Sequence, residues 1–498
     1  MGWLRRLRNR LLPEGDVTEQ TVKSGIWVGA TNVGSRLAQM AMLVVLARLL
    51  DPADFGLFGI TLLALSALKR FSQLGLDQAL IQRYEENVDH FLDTVWTLQA
   101  IRGLVLSAIA IAAAPLIAEV FNEPEVVPLL RVVTIAVMLQ MLYNPGTVYF
   151  QKDLQFHKDF ALTMSGNGVR AIVSVAYALV SPTVWALIVG FVVGNFSRLI
   201  VSYAIHDYRP WPAFDRELAG EMIGYGKWIL GSGVVSFLFS EGDDAFVGWF
   251  LSSSALGIYQ LAYRLSNAPA TEIAQTVSKV VMPTYSKIQD DLESLRDGFY
   301  TVLRLSTLVS FPVGIGIIVV APVFVPVFLG DGWGRMVVPM QILTGYGVLR
   351  SVRSPTSPLF KALGRPDYVA KIQMLRLILL AALIYPLTSR YGLAGTSASV
   401  LITGLLSVPL GAVLAVRVLE DDVWSFLQTI SYPAVGSAVM GVCALAVRRS
   451  VVEMAGSAVA FVATVLTGVV VYTLVMFAFE QRFDIGLSEL VAKVKGSF

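Results

Sequence analysis

Trp228-Ile-Leu-Gly-Ser-Gly-Val-Val-Ser-Phe-Leu-Phe-Ser-Glu241-Gly-Asp243-Asp244-Ala-Phe-Val-Gly-Trp-Phe-Leu-Ser-Ser-Ser254-Ala-Leu-Gly257-Ile-Tyr259 is the stretch that decides the fold. It is apolar over more than about 20 residues, enough for a helix to cross a bilayer. Glu241, Asp243 and Asp244 nevertheless sit inside it. Each such charge costs roughly 2.5–3.5 kcal/mol at a helix centre on insertion scales. A chain that keeps three of them there lines a cavity or satisfies a partner.

The rest of the chain repeats this character. Of 498 residues, 55% are hydrophobic and only 15% charged, against about 25% charged in ordinary soluble domains; mean hydropathy is +0.66. Apolar windows recur along almost the whole length, so the expected class is an all-α, polytopic membrane protein. A transmembrane barrel would show short alternating segments instead. Fourteen spans are predicted, at roughly 24–50, 55–79, 93–118, 126–150, 160–180, 184–206, 222–251, 255–280, 299–328, 336–360, 367–388, 393–417, 428–447 and 457–479. The first twelve residues carry Arg5, Arg6, Arg8 and Arg10, with Leu4, Leu7 and Leu11 at helical spacing. This suits a short helix lying on the cytoplasmic face, ahead of a retained first span.

Lys and Arg in the connecting segments set the orientation. With a cytoplasmic N-terminus, the inside segments hold roughly 19 and the outside loops roughly 4. The outside turns Asp51–Asp54, Glu119–Glu125 and Leu251–Ala255 contain none. An even number of spans then returns the C-terminus to the cytoplasm, with the chain in the cytoplasmic (inner) membrane.

The opening stretch has an earlier copy. At an offset of 201 residues Gly25 falls on Gly226, Trp27 on Trp228, Leu50 on Leu251, Gly56 on Gly257 and Tyr84 on Tyr285. With small insertions Ala114-Pro115 meets Ala321-Pro322, Phe121 meets Phe328, Asn144-Pro145 meets Ser354-Pro355, and Phe150 meets Phe360. Six spans separate the copies, so both start on the same side. That makes parallel repeats related by a pseudo-twofold along the membrane normal, a transporter plan in which access alternates around a midplane site. The expected organisation is an interfacial segment at 1–23, an N-lobe of six spans at 24–206, a cytoplasmic linker at 207–221 and a C-lobe of six spans at 222–417. Two further spans at 426–479 and a cytoplasmic tail at 480–498 complete it.

The cations divide by depth. Arg36, Lys69, Arg70, Arg170, Arg264, Arg350 and Arg353 lie near mid-span; Arg102, Arg198, Arg304 and Arg376 lie nearer the cytoplasmic ends, where long side chains snorkel to the interface. Arg and Lys suit a diphosphate, the first as a planar fork and the second as a point charge. Arg36, Arg70, Arg264, Arg350 and Arg353 are therefore the candidate substrate-binding residues of a central cavity, set against internal ion pairing as the plainer role. Glu241, Asp243 and Asp244 are the candidate gating or coupling acids. Asp244 lies about 12 Å before the Ser252–Ser254 turn and Arg264 about 15 Å after it, at 1.5 Å per residue. Asp244, or Asp243, is thus expected to pair with Arg264 as a gate for which H⁺ or Na⁺ competes. Pro355 and Pro358 follow Arg353 and break the helix there. Gly190-x-x-x-Gly194 permits close helix packing.

Catalytic chemistry finds no support. There is no nucleophile elbow, no phosphate-binding loop and no metal-ligand cluster, and the one cysteine, Cys443, excludes an internal disulfide. No cofactor beyond a coupling Na⁺ or H⁺ is expected, and nothing points to nucleic acid.

Ala47-Arg-Leu-Leu-Asp-Pro-Ala-Asp-Phe-Gly56, Phe71-Ser-Gln-Leu-Gly-Leu-Asp-Gln-Ala-Leu80, and Asp244 followed by Val247-Gly248 and Leu256-Gly-Ile-Tyr259 carry a resemblance. With the fourteen-span repeat, the chain resembles the multidrug/oligosaccharidyl-lipid/polysaccharide flippase superfamily, in its polysaccharide-exporter branch of O-antigen and colanic-acid type. The resemblance implies a polyprenyl diphosphate-linked oligosaccharide turned outward across the cytoplasmic membrane, a lipid tail left in the bilayer beside the last two spans, a monomer, and delivery to a downstream polymerase or ligase. It implies a single acid where this chain has Glu241, Asp243 and Asp244. Two other readings stay open: a cation-coupled multidrug or metabolite antiporter of the same superfamily, favoured by an acidic, aromatic cavity, and a membrane-embedded glycan polymerase or ligase, which would carry a large outside loop rich in Arg. A scramblase blind to the headgroup is a third.

Overall fold

The computed structural model describes residues 17–71, 89–153, 155–213 and 216–483. The expected interfacial helix before residue 17, most of the Phe71–Leu80 motif and the tail beyond Phe483 lie outside the described residues. Helix α1 spans Val17–Leu49, α2 Pro52–Phe71, α3 Asp89–Phe121, α4 Val126–Met141, α5 Tyr149–Lys152, α6 Phe156–Val180 and α7 Trp185–Ala204. Then come α8 Arg216–Phe250, α9 Ser253–Lys287, α10 Leu292–Phe324, α11 Val337–Val352, α12 Thr356–Ala362, α13 Pro366–Val418 and α14 Val423–Phe483.

Two of these are folded rods. Gly392 (φ 55°) interrupts α13 and Gly456 (φ 81°) interrupts α14, each at a left-handed conformation that glycine takes without a Cβ clash. Past Gly392 the chain doubles back, and the buried Thr388 and Thr396 hydroxyls lie 2.9 Å apart. Both turns fall between predicted spans, so the described helices are consistent with fourteen crossings. Outward faces are apolar, as a lipid-facing surface requires: Val442 is 70% exposed and Leu466 61%.

Packing divides the chain into two compact units, one ending at Gly257 and one beginning at Ile258. In the first, α1 lies on α6, α6 on α7, α3 on α4, and α8 on α2 and α3. Its core includes Leu46, Phe58, Ile60, Leu92, Leu129, Leu130 and Ile188. Sequence repetition groups residues 222–417, whereas by packing α8 stays with the helices before it. In the second unit α10 packs on α11 and α14, and α11 on α13, around Tyr285, Leu295, Phe299, Leu303, Leu359, Phe360 and Phe426.

Proline breaks recur at matched positions. Helix α4 ends at Met141 before Asn144-Pro145, and α11 ends at Val352 before Ser354-Pro355. Proline lacks the N–H that a continuing helix needs, and it disfavours helical geometry in the residue before it. Asn144 stabilises the first break by accepting the Gly146 N–H at 2.9 Å. In α6 and α7 small residues bring backbones together: a Cβ on Gly190 would stand 1.9 Å from Ser174 Oγ, and one on Gly194 2.8 Å from Gly166 O.

A closer approach joins α2 to the start of α9. A Cβ on Gly56 would stand 1.7 Å from the Ser253 carbonyl oxygen, and one on Gly257 2.0 Å from the Pro52 carbonyl oxygen. The contact is reciprocal, because Gly56 and Gly257, and likewise Pro52 and Ser253, are related by the same 201-residue offset. Substitution by alanine must separate two backbones. Gly56→Ala or Gly257→Ala is expected to lower the melting temperature of the purified protein in detergent, for a cost of at least about 1–3 kcal/mol. Gly316→Ala, where nothing lies within 4 Å of the added carbon, should melt with the wild type or slightly above it.

Candidate functional site

Polar chemistry in the first unit gathers where α2, α4, α7 and α8 approach. Arg70, near the end of α2, donates from Nη1 to Ser236 Oγ at 2.8 Å, and its Nη2 lies 3.7 Å from Glu241 Oε1. Both side chains of the ion pair are about one-third exposed or less. Its partner residue Lys69 points elsewhere, because adjacent residues on a helix diverge by about 100°. Lys69 Nζ donates to Gln140 Oε1. Gln140 Nε2 in turn donates to Asn195 Oδ1 at 2.8 Å, and the Tyr143 hydroxyl donates to the same oxygen at 2.8 Å. Arg198 lies over the Tyr143 ring at 5.3 Å, and Arg102 Nη2 donates to the Lys69 carbonyl at 3.1 Å. The result is a relay of amides and hydroxyls that disperses cationic charge among α2, α3, α4 and α7.

Arg170 has a different setting. Its guanidinium lies over the rings of Phe58 and Phe191, at 5.7 and 5.2 Å from their centroids. An aromatic sandwich of this kind holds a cation inside a lobe through the ring quadrupoles. Arg36 is exposed on α1, and Asp243 and Asp244 are half-buried on α8 beside Glu241. The Arg70–Glu241 bond was not foreseen in the sequence, where Asp244 or Asp243 was assigned to Arg264. Asp244 belongs to the first unit and Arg264, exposed on α9, to the second.

The segment after α7 is strapped to α3. Asp93 Oδ1 accepts from the Tyr208 hydroxyl at 2.7 Å and from the Trp211 N–H at 2.8 Å, and Thr97 Oγ1 accepts from the Ala213 N–H at 3.0 Å. Asn144 Nδ2 donates to the Tyr208 carbonyl at 2.8 Å.

In the second unit Arg350 and Arg353 end α11, on one face at i and i+3. Arg376 of α13 donates from Nη2 to the Tyr346 hydroxyl. Behind them a buried hydroxyl ladder runs through Ser306, Ser354, Ser351 and Ser310, with Ser354 Oγ 3.3 Å from Ser306 Oγ. Arg376, read from its sequence position as a snorkelling residue, is thus tied to Tyr346 of α11. Gln140, Asn195 and Tyr346 were not singled out either; the available signal was a strong hydrogen-bonding group in the middle of an apolar run. Among the described residues no group of three His, Cys, Asp or Glu side chains is placed to hold a metal ion.

A family whose members are described as polysaccharide biosynthesis proteins matches residues 45–338. The chain belongs to that family. It is 28% identical over 367 residues to the lipopolysaccharide biosynthesis protein WzxC of Escherichia coli K12, covering 72% of this chain and 74% of WzxC. It is 24% identical over 440 residues to the teichuronic acid biosynthesis protein TuaB of Bacillus subtilis 168, covering 87% of this chain and 90% of TuaB. The succinoglycan biosynthesis transport protein ExoT of Rhizobium meliloti 1021 is 23% identical over 64% of each chain. Among solved structures, the inward-closed lipid II flippase MurJ superposes with a TM-score of 0.71 at 18% identity, over 92% of this chain and 99% of MurJ. An inward-facing multidrug resistance transporter of the MATE family gives 0.61 at 15% identity, over 78% of this chain and 94% of that one. At such identities the likeness is one of fold. The polysaccharide family member is therefore a multi-pass helical membrane protein built on the fold shared by MurJ and the multidrug transporter.

The amide relay has a measurable consequence. Asn195→Leu removes the acceptor shared by Gln140 and Tyr143 and leaves both half-buried donors without it, at about 1–3 kcal/mol. The variant is expected to melt several degrees below the wild type in detergent, whereas Ser236→Ala, at an exposed hydroxyl, should change the melting temperature by no more than about a degree.

Proposed function

We propose that this chain moves a polyprenyl diphosphate-linked oligosaccharide from the cytoplasmic to the outer leaflet by alternating access, driven by Na⁺, H⁺ or the membrane potential. The observation that carries this reading is a set of guanidinium groups held inside apolar helices of a polysaccharide biosynthesis family member. Arginines at membrane depth are costly unless they meet charge, and a diphosphate is the anion common to carrier-linked glycans. ExoT's name as a transport protein and the name of a Haloferax volcanii relative, "probable flippase AglR", support it. Arg36, Arg70, Arg264, Arg350 and Arg353 balance the diphosphate. Glu241, bonded to Arg70 at 3.7 Å, holds that cation until the substrate competes for it. Asp243 and Asp244 serve as coupling acids, with Asp244 paired to Arg264 in one state of the cycle.

The Lys/Arg bias of the loops supports a cytoplasmic-membrane location with both termini inside. Working as a monomer, the protein passes its product to an outer-leaflet polymerase or ligase. The likeness to a multidrug transporter, TM-score 0.61, favours a second reading, a cation-coupled antiporter. The cationic surplus weighs against it, since antiport of cationic drugs calls for an acidic site.

Deleting the gene is expected to accumulate one lipid-linked glycan on the cytoplasmic leaflet, whose identification names the substrate. Restoration of transport by the wild type but not by Arg70→Gln would support the reading; drug efflux without glycan accumulation would replace it with the antiporter. Asp244→Asn and Arg264→Gln should each reduce transport at least about tenfold. Full activity in both removes that pair from the mechanism.

A further inference from the structure

Arg353, with Arg350 and Arg376 of the same unit, is set unlike the other membrane cations described above. Arg353 is half-buried at the end of α11. Among the described residues, the groups whose charges act on it most strongly are Arg376, Arg350 and the hydroxyls of Tyr346 and Tyr263. Two are cations and the others neutral; none is a carboxylate. The Arg353 guanidinium has no hydrogen bond or ion pair with any described residue, and Arg376 is held by Tyr346 alone, through its hydroxyl and by its ring at 5.8 Å. Gathering like charges at low dielectric is repulsive, and an anion that joins such a cluster relieves the repulsion.

The local backbone fixes the geometry. Pro355 stands two residues after Arg353, so Arg350 and Arg353 project from the last turn of a helix that cannot continue. Tyr346 is one turn earlier on the same face, packed against Gly404 of α13, where an added Cβ would stand 3.0 Å from its ring. That packing sets α13 close enough to bring Arg376 to the Tyr346 hydroxyl. Three planar forks and two phenol donors thus converge, a set that matches the several acceptor oxygens of a phosphate or carboxylate group.

We propose that Arg350, Arg353 and Arg376, with Tyr263 and Tyr346, form an oxyanion-binding site contained within the second unit, separate from the Arg70–Glu241 pair of the first. The proposal rests on the flippase reading for the source of the anion, which is either the diphosphate of the carrier lipid or a carboxylate on the glycan. Arg376 is the new member, and it makes the site one of convergent forks on two helices.

The test is equilibrium binding to the purified full-length protein in nanodiscs, with three probes: inorganic diphosphate, sugar-free polyprenyl diphosphate, and a free uronate-containing oligosaccharide. Arg353→Gln and Arg376→Gln should each weaken at least one probe about tenfold or more, and the double variant little further, since one site is lost. Arg335→Gln, in the turn before α11, should bind as the wild type does. Loss confined to the two diphosphates assigns the site to the carrier; loss confined to the oligosaccharide assigns it to the glycan. Arg353-dependent binding of inorganic diphosphate without binding of either of the other probes upholds the site and overturns the flippase reading. Binding of all probes within twofold of wild type in folded variants, or no binding by the wild type, overturns the site. Should the Gln variants fail to fold, Arg353→Lys and Arg376→Lys keep the charge and lose the fork, and about threefold weaker binding is expected, with unchanged binding counting against the proposal.

Discussion

A cation inside a membrane helix must find something to face, because hydrocarbon offers no hydrogen bonds and no counter-charge. In this protein the cations meet that constraint in four ways. Arg170 is held between two phenylalanine rings, Lys69 donates into an amide relay, Arg70 meets a carboxylate, and Arg353 meets two more cations. The first two arrangements draw on groups of the same lobe and serve as structure. The third is an ion pair of partly exposed groups, weak enough to be exchanged. The last gathers like charges, with no carboxylate among the described groups that act most strongly on Arg353, and the reading of an anionic substrate leans on it.

The framework around these cations has few free choices. Helices in lipid pack through close backbone approach and small residues, since hydrocarbon supplies no hydrophobic drive between them. Gly190 and Gly194 bring α6 and α7 together in this way, and Gly56 and Gly257 join α2 to α9 so tightly that a single methyl group would collide with backbone oxygen. Polar side chains then have a fixed place to reach. Asn195 serves Gln140 and Tyr143 because α7 lies against α4, and Tyr346 serves Arg376 because α13 lies against α11. Outside the apolar layer the same logic uses charge: Asp93 gathers the Tyr208 hydroxyl and the Trp211 amide and ties the segment after α7 to the first unit.

Much of this was legible in residue order alone. The apolar windows located the helices, although the spans read at 126–150 and 336–360 stop at Met141 and Val352. Pro355 marked the second of these breaks, the repeat aligned Asn144-Pro145 with it, and the reversals in α13 and α14 fell where the apolar windows had been divided. The family resemblance carried by Ala47–Gly56 and the 201-residue repeat agreed with the family match and with the fold of MurJ. These features are local, or are repeated as whole segments, and backbone hydrogen bonding in lipid leaves a long apolar stretch little alternative to a helix.

What sequence could not supply was the partner of each charge. Glu241 bonds Arg70 within the first unit, Arg376 reaches the Tyr346 hydroxyl, and α8 packs with the helices before it although its repeat begins the second half. The reason is physical. In a soluble helix the apolar stripe declares which side faces inward; in a bilayer the outward side is as apolar as the inward one, so rotation about the helix axis is not written in hydropathy. Residue order determined that these helices exist, where they break and that they are duplicated, and only tertiary packing decided which way their few polar side chains turn.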